Sequence, residues 1–402
     1  RYHCGGGRVE GIATTGGNIM LIQCTRKLLD ELKVEPVEQI EEEPLLSWHG
    51  NLIRLNRRKT VVLTNDQNRY TIVLYGLKAK DFRNFDELVI DAIRETFRCE
   101  QISEEAIGRF LGARPEVSYS KTKNRSMTGR LRSACDVAQY YAPLAFEGSI
   151  IQPAMSVECS TYMFWHEPRG ENLRPNREMY ADLLTLVGKP IFSCKAVQLK
   201  VVLQLGRHDV WRRLIVPVDC TFASFHKILQ KAFGWQDYHL HEFYVFDHKR
   251  QTDKLLGPNH PAFRPRGYEP IINLVCDESA FEYEYQDNIP MRLDQTVTLG
   301  EYVYDCKFMN YVYDFGDDWR HNIEVEKIIT LEDKNYPVCV DSEGYAPPED
   351  VGGITGYEEF LRIIADEDEP DREHMLVWAK SQGYRDLDIQ LVNRWFGAYG
   401  WR

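Results

Sequence analysis

The sequence predicts an α+β protein of two domains, each a small, mostly antiparallel sheet packed with helices. Three observations carry that prediction. The chain has 402 residues, more than a single hydrophobic core usually serves. Runs rich in β-branched and aromatic residues are joined by turn compositions, and amphipathic helical stripes stand beside them. Gly316-Asp317-Asp318 separates two alternating runs, as in an antiparallel hairpin.

In the first half, residues 21–24 read as a short strand and 27–32 as a helix, followed by an acidic, solvated loop over 35–43. Strands are predicted at 45–55, 60–64 and 70–75, the last two joined by the turn composition Asn65-Asp66-Gln67-Asn68. Leu88, Ile90, Ile93 and Phe97 give 86–97 a helical stripe, and Ser103 before Glu104 and Glu105 starts another helix. Residues 142–194 contain Pro143, Pro153, Pro168, Pro175 and Pro190, and only 177–187 has helical spacing. That segment is expected to be a connector with one helix between a domain at 20–141 and a domain at 195–402.

In the second half, 196–205 alternates as a strand. Thr221 caps a helix over 221–233 whose Phe222, Phe225, Ile228, Leu229 and Phe233 face a core. A strand at 239–246 is followed by a polar, proline-rich surface loop over 247–270. The hairpin of 307–315 and 319–329 comes next, and helices over 357–365, 371–380 and 388–396 close the chain.

Four ordered blocks of this half, VWRRLIVPVDCTFASFHKILQKAFGWQDYHLHEF, YVYDFGDDWRHNIEVEKII, APPEDVGGITGYEEFL and DLDIQLVNRWF, resemble the plasmid pRiA4b ORF-3-like family. The resemblance implies an α+β fold and no established activity. Many relatives carry cysteines flanking the PPED block, where this chain has Ala346 and Val351. Any metal or disulfide of that loop in relatives is therefore not implied here. Residues 21–141 resemble a bacterial domain of unknown function through MLIQCTRKLLDEL, RRKTVVLTNDQNRYTIVLYGLKAKDF and KTKNRSMTGRL.

Hydrophobic residues make up 43% of the chain, a globular composition, and no apolar run approaches the ~20 residues that span a bilayer. The ten cysteines include no CxxC pair, which removes zinc-ribbon and thioredoxin-like readings and suits reduced thiols of a cytoplasmic protein. Residues 1–19 are glycine-rich and lack an apolar signal core, and a periodic sequence begins at Met20. They are expected to be a non-native leader, with translation starting at Met20. The net charge of -12 is uneven: residues 1–190 carry 26 basic and 25 acidic side chains, and 191–402 carry 23 and 36. The acidic half repels phosphate backbones, so nucleic acid is expected to meet the first half, if either.

Candidate chemistry concentrates in the second half. His239 and His241 lie two apart on the expected strand, so both imidazoles would share a face and suit one divalent metal, the cofactor these residues admit. Asp314, Asp317, Asp318 and His321 of the hairpin would complete the shell. The competing reading is that these histidines bond backbone or carboxylates beside Trp235 and Trp319, and that Asp317 and Asp318 hold the turn. Asp314-Phe315-Gly316 spells the kinase magnesium motif without the phosphate loop, HRD or VAIK segments around it. Trp211, Arg212 and Arg213 offer forked donors to an anion or to the domain's own acids. Glu349 and Asp350 sit in a rigid proline loop that is either a site or a structural lid. In the first half, Arg57, Arg58 and Lys59 form one basic cluster, and Lys121, Lys123, Arg125, Arg130 and Arg132 form another, a footprint that phosphates could follow. Three functions remain open: a non-catalytic binding or accessory module, such as a mobile-element passenger, whose acidic half meets a protein partner; a metal-dependent hydrolase; and a nucleic-acid-associated factor. No membrane role is expected.

Overall fold

The computed structural model describes residues 19–38, 42–113, 115–247, 270–282 and 289–399. Residues 1–18 of the expected leader and most of the expected 247–270 loop lie outside these residues, while Ile19, expected to end the leader, begins the first strand. The chain divides into two compact units, residues 1–193 and 194–402.

The first unit is built on a five-stranded sheet of order β4-β3-β2-β1-β5, with β1 Ile19–Cys24, β2 Ser47–Leu55, β3 Arg58–Asn65, β4 Thr71–Tyr75 and β5 Glu116–Lys121. The α+β class holds, but two of the four pairings in this sheet are parallel, β1 with β2 and β1 with β5. Each joins strands separated by helical chain: α1, Arg26–Leu32, lies between β1 and β2, and α2, Phe85–Cys99, with α3, Glu104–Leu111, precedes β5. Helix α1 sits directly on β2 at Gly50, where an added Cβ would stand 2.9 Å from both Leu28 Cδ2 and Leu63 Cδ2. Gly50→Val is therefore expected to destabilise this unit by about 1–3 kcal/mol in urea unfolding, and an unchanged midpoint would refute that packing account. Helix α4, Arg125–Tyr140, covers the other face of β2 and β3 with Leu131, Cys135 and Ala138.

Residues 142–194 hold two helices where the spacing predicted one, α5 Pro153–Thr161 and α6 Pro175–Val187, with a short hairpin of β6 Phe164–His166 and β7 Glu171–Leu173 between them. Helix α5 lacks a continuous apolar stripe because its buried face mixes Met155 and Cys159, which join a core, with two serines. Ser156 and Ser160, four apart, accept from Val73 N and Thr71 N at 2.9 Å and cover the open edge of β4. Helix α6 buries Met179, Tyr180 and Leu183 in the first unit's core.

The second unit carries an eight-stranded sheet of order β12-β11-β10-β13-β14-β8-β9-β15. Its strands are β8 Cys194–Leu205, β9 His208–Pro217, β10 His241–Phe246, β11 Ile272–Val275, β12 Met291–Leu293, β13 Phe308–Tyr313, β14 Trp319–Leu331 and β15 Val338–Glu343. All pairings are antiparallel except β11 with β12. Helix α7, Phe222–Phe233, starts where Thr221 Oγ1 accepts from Ser224 N at 3.1 Å and ends at Gly234 in the left-handed region. It buries Phe222 and Phe225 against Phe243 of β10. Helices α8 Gly353–Ala365, α9 Arg372–Ser381 and α10 Ile389–Tyr399 add Tyr357, Phe360, Ala379 and Phe396 to the same core. No disulfide joins any of the nine described cysteines. No described helix is long and apolar enough to cross a membrane.

Candidate functional site

The second unit gathers its polar chemistry where α7, the start of β10, the β13–β14 turn and the loop before α8 meet. Strand β10 begins at His241, so His239 lies in the loop ahead of it. Asp237, at φ 60°, turns the chain there, and Tyr238 N donates to Tyr313 Oη at 3.1 Å. The two histidines consequently have separate partners. His239 Nε2 stands 3.0 Å from Asp350 Oδ1 and 3.5 Å from Asp314 Oδ2. His241 points into the core, where Nε2 meets Asp294 Oδ2 at 2.8 Å.

His241 also stacks face to face on His226 of α7, with ring centroids 3.5 Å apart. His226 in turn meets Tyr311 Oη through Nδ1 and Asp237 Oδ1 through Nε2, each at 2.7 Å. Burial pushes the His226 imidazole below its ordinary range, and its hydrogen bond holds Asp237 below the usual carboxylate range. Sequence reading missed His226, Asp237 and Asp294. The signal for His226 was its place in the α7 stripe, four residues after Phe222 and three before Leu229. Asp294 follows a three-residue strand that gives no periodic signal.

The β13–β14 turn divides its aspartates by task. Asp314, at φ 56°, accepts through Oδ1 from Gly316 N at 2.9 Å and Asp317 N at 3.3 Å, which leaves Oδ2 toward His239. Asp317 Oδ2 accepts from Gly352 N at 3.1 Å and ties the turn to the loop before α8. Asp318 Oδ2 accepts from Arg320 Nε at 2.8 Å. Behind them Glu349 is fully buried and accepts from Gln236 N at 2.7 Å and Tyr313 Oη at 3.0 Å. Burial raises its carboxyl above the ordinary value. Trp235 stacks on Tyr313, Trp319 and Phe233, and its indole N–H donates to Pro347 O at 2.9 Å.

His321 is not at the His239 cluster. It is fully buried with its ring edge-on to Phe233 and Trp235, and burial pushes its imidazole down to about 3. Successive residues of β9 point oppositely: Arg213 pairs outside with Glu326 and Asp341, beside Trp211, while Arg212 is buried. Among the described residues, the one His/Cys/carboxylate group whose ligand atoms all lie within 4.8 Å of one another is His239, Asp314 and Asp350.

In the first unit the basic clusters are partly committed. Arg58 pairs with Glu147 at 2.7 Å, Lys59 with Glu31 at 2.6 Å and Lys123 with Glu42, and Arg130 Nη1 donates to Asp66 O. Arg57, Lys121, Arg125 and Arg132 are exposed. Arg57 follows Asn56 in the β2–β3 turn, both at positive φ.

The three loops that build the cluster come from three of the sequence blocks quoted above, and residues 195–394 match the family described as plasmid pRiA4b ORF-3-like protein. An uncharacterized protein, y4hQ of Sinorhizobium fredii (strain NBRC 101917 / NGR234), is 33% identical over 190 residues, covering 47% of this chain and 82% of the relative. The chain belongs to the plasmid pRiA4b ORF-3-like family. The chain is also similar to a solved structure, protein of unknown function MM3350 from Methanosarcina mazei Go1, at 26% identity over 49% of this chain and 97% of that one, with a TM-score of 0.38. Ahead of the family region, residues 21–178 match a domain of unknown function, DUF6933.

Proposed function

We propose that the protein is a non-catalytic binding module of the cytoplasm whose second unit holds a divalent cation at His239, Asp314 and Asp350 and meets a protein partner beside it. The observation that carries this reading is the convergence of one imidazole and two carboxylates from three separate loops to within 4.8 Å. An imidazole with two carboxylates suits zinc, manganese or iron(II). The cluster is open to water, with the Asp350 side chain 56% exposed. The nearby histidines are bound to Asp237 and Asp294, and Glu349 to Tyr313 and Gln236. A wet site without an uncommitted base favours binding over water activation. Exposed Tyr238, Leu240 and Phe315 flank the cluster in sequence and supply apolar area for a partner. The plasmid in the family's name supports carriage on a mobile element.

The test is metal titration of purified full-length protein by calorimetry, followed by elemental analysis. About one equivalent of a divalent transition metal is expected, with His239→Ala weakening it at least ~10-fold and His241→Ala leaving it within about a factor of two. Less than ~0.1 equivalent after supplementation, or equal losses from the two histidine variants, would overturn the site.

A further inference from the structure

A second site lies at the C-terminal end of α7, away from the cation cluster's ligands. Arg212 is 1% exposed and has no carboxylate partner among the described residues. Its Nε donates to Ala232 O at 2.7 Å, and Nη1 donates to Trp211 O, Glu343 O and Gly344 O at 2.9, 2.8 and 3.2 Å. Nη2 has no acceptor among the described residues. A buried guanidinium is costly unless its charge is met, and here it is met by carbonyl dipoles and by the Phe233 ring, whose centroid lies 4.8 Å from Cζ, with no full counter-charge. Burial pulls it down to about 10, still charged at neutral pH.

Arg212 forms part of the wall of a cavity of about 240 Å³. Two further cations line it, Lys231 and Arg385. Neither has a carboxylate within ion-pair distance among the described residues, unlike Arg207, Arg213, Arg292, Arg320 and Arg362 of the same unit and like Arg372 and Arg394. The wall also holds two acids, Asp386 and Asp388, so its three cations leave it a net charge of +1; Asp388 accepts from Leu391 N at the start of α10. The apolar part of the wall includes Phe233, Trp235 and Trp395, and Lys231 Nζ lies 4.9 Å from the Trp395 ring centroid. The volume falls below the ~300–1,000 Å³ of pockets for drug-sized ligands, which restricts the occupant to a small molecule.

We infer that this cavity binds a small aromatic carboxylate, its acid group on Arg212, Lys231 and Arg385 and its ring among Phe233, Trp235 and Trp395. The forked guanidinium donors match a carboxylate, and flat walls favour a planar body over a compact, fully hydrated ion. This site goes beyond the cation-dependent module and does not rest on it.

The experiment is calorimetric titration of the full chain with benzoate, benzyl alcohol and inorganic phosphate as separate probes. Benzoate is expected to bind with benzyl alcohol at least ~10-fold weaker, because the alcohol lacks the charge, and phosphate at least ~10-fold weaker, because it lacks the ring. Lys231→Ala and Arg385→Ala are each expected to weaken benzoate by ~5-fold or more with an unchanged melting temperature. Arg212 is left intact because it ties four carbonyls together and its loss would unfold the loop. No benzoate binding up to ~10 mM, or binding indifferent to both substitutions, overturns the proposal. Phosphate binding as tight as benzoate overturns the aromatic class.

Discussion

Gly356→Ala is expected to destabilise the second unit by about 2–4 kcal/mol, the opposite of what the change does in an ordinary helix. Gly356 lies inside α8, where alanine normally gains up to ~1 kcal/mol over glycine. Here an added Cβ would stand 1.8 Å from Val351 O and 2.8 Å from Val351 C, so the backbone of the preceding loop must move. That loop carries Glu349 and Asp350, and Gly352 N anchors it to Asp317. The substitution should therefore also weaken cation binding at His239, Asp314 and Asp350. Urea unfolding followed by tryptophan fluorescence reads the second unit chiefly, since six of the eight tryptophans lie beyond residue 193. A midpoint at or above the parent's would show that the loop is not fixed by this contact.

Acid should destabilise the second unit before its exposed carboxylates titrate, with His321 as the largest single cause. Its imidazole falls from 6.5 to about 3 on burial. Below about pH 6.5 the unfolded chain takes up a proton that the folded chain refuses, so stability is lost as pH falls from there toward 3. At ~1.4 kcal/mol per unit, the loss between pH 7.5 and 4.5 is about 3 kcal/mol from this group. His226, also lowered, adds in the same direction. Glu349, raised by burial, acts oppositely: its folded form favours the proton, so its term is present at low pH and is lost as pH rises through its folded value. Urea midpoints of the parent and His321→Gln should converge as pH drops, because the variant lacks the main term. Parallel midpoint curves from pH 7.5 to 4.5 would rule His321 out as that cause.

Local periodicity made much of this architecture legible. The α7 stripe with its Thr221 cap and the two runs flanking Gly316-Asp317-Asp318 stand where the spacing put them, because each is fixed by contacts near in sequence or by a turn that tolerates few alternatives. The parallel pairings of β1 were not legible, since alternation within a strand does not say which neighbour it joins. Helix α5 was hidden because the serine hydroxyls that cover a sheet edge interrupt the apolar positions, Met155 and Cys159, that it buries. At the candidate cation site, the His239 and His241 spacing implied a shared face only if the strand already ran through 239. The positive-φ turn at Asp237 delays it to His241 and sends the two imidazoles to different carboxylates. Asp350, the partner of His239, lies 111 residues away, beyond the reach of any local pattern, although the proline loop that holds it was visible.

The place of β8 in the second sheet has a further consequence during synthesis. It is the first strand of its unit to emerge, yet on one side it pairs with β14, which follows well over a hundred residues later. A nascent chain can close the β8–β9 hairpin early, but Val197, Leu199, Val201 and Leu203 then have neither α7 nor the central strands to cover them. Non-local pairing of this kind is slow and leaves apolar strand faces exposed while it waits. The ribosome-bound second unit is thus the interval in which this protein most needs a chaperone, whereas the first unit's sheet is complete once β5 has emerged.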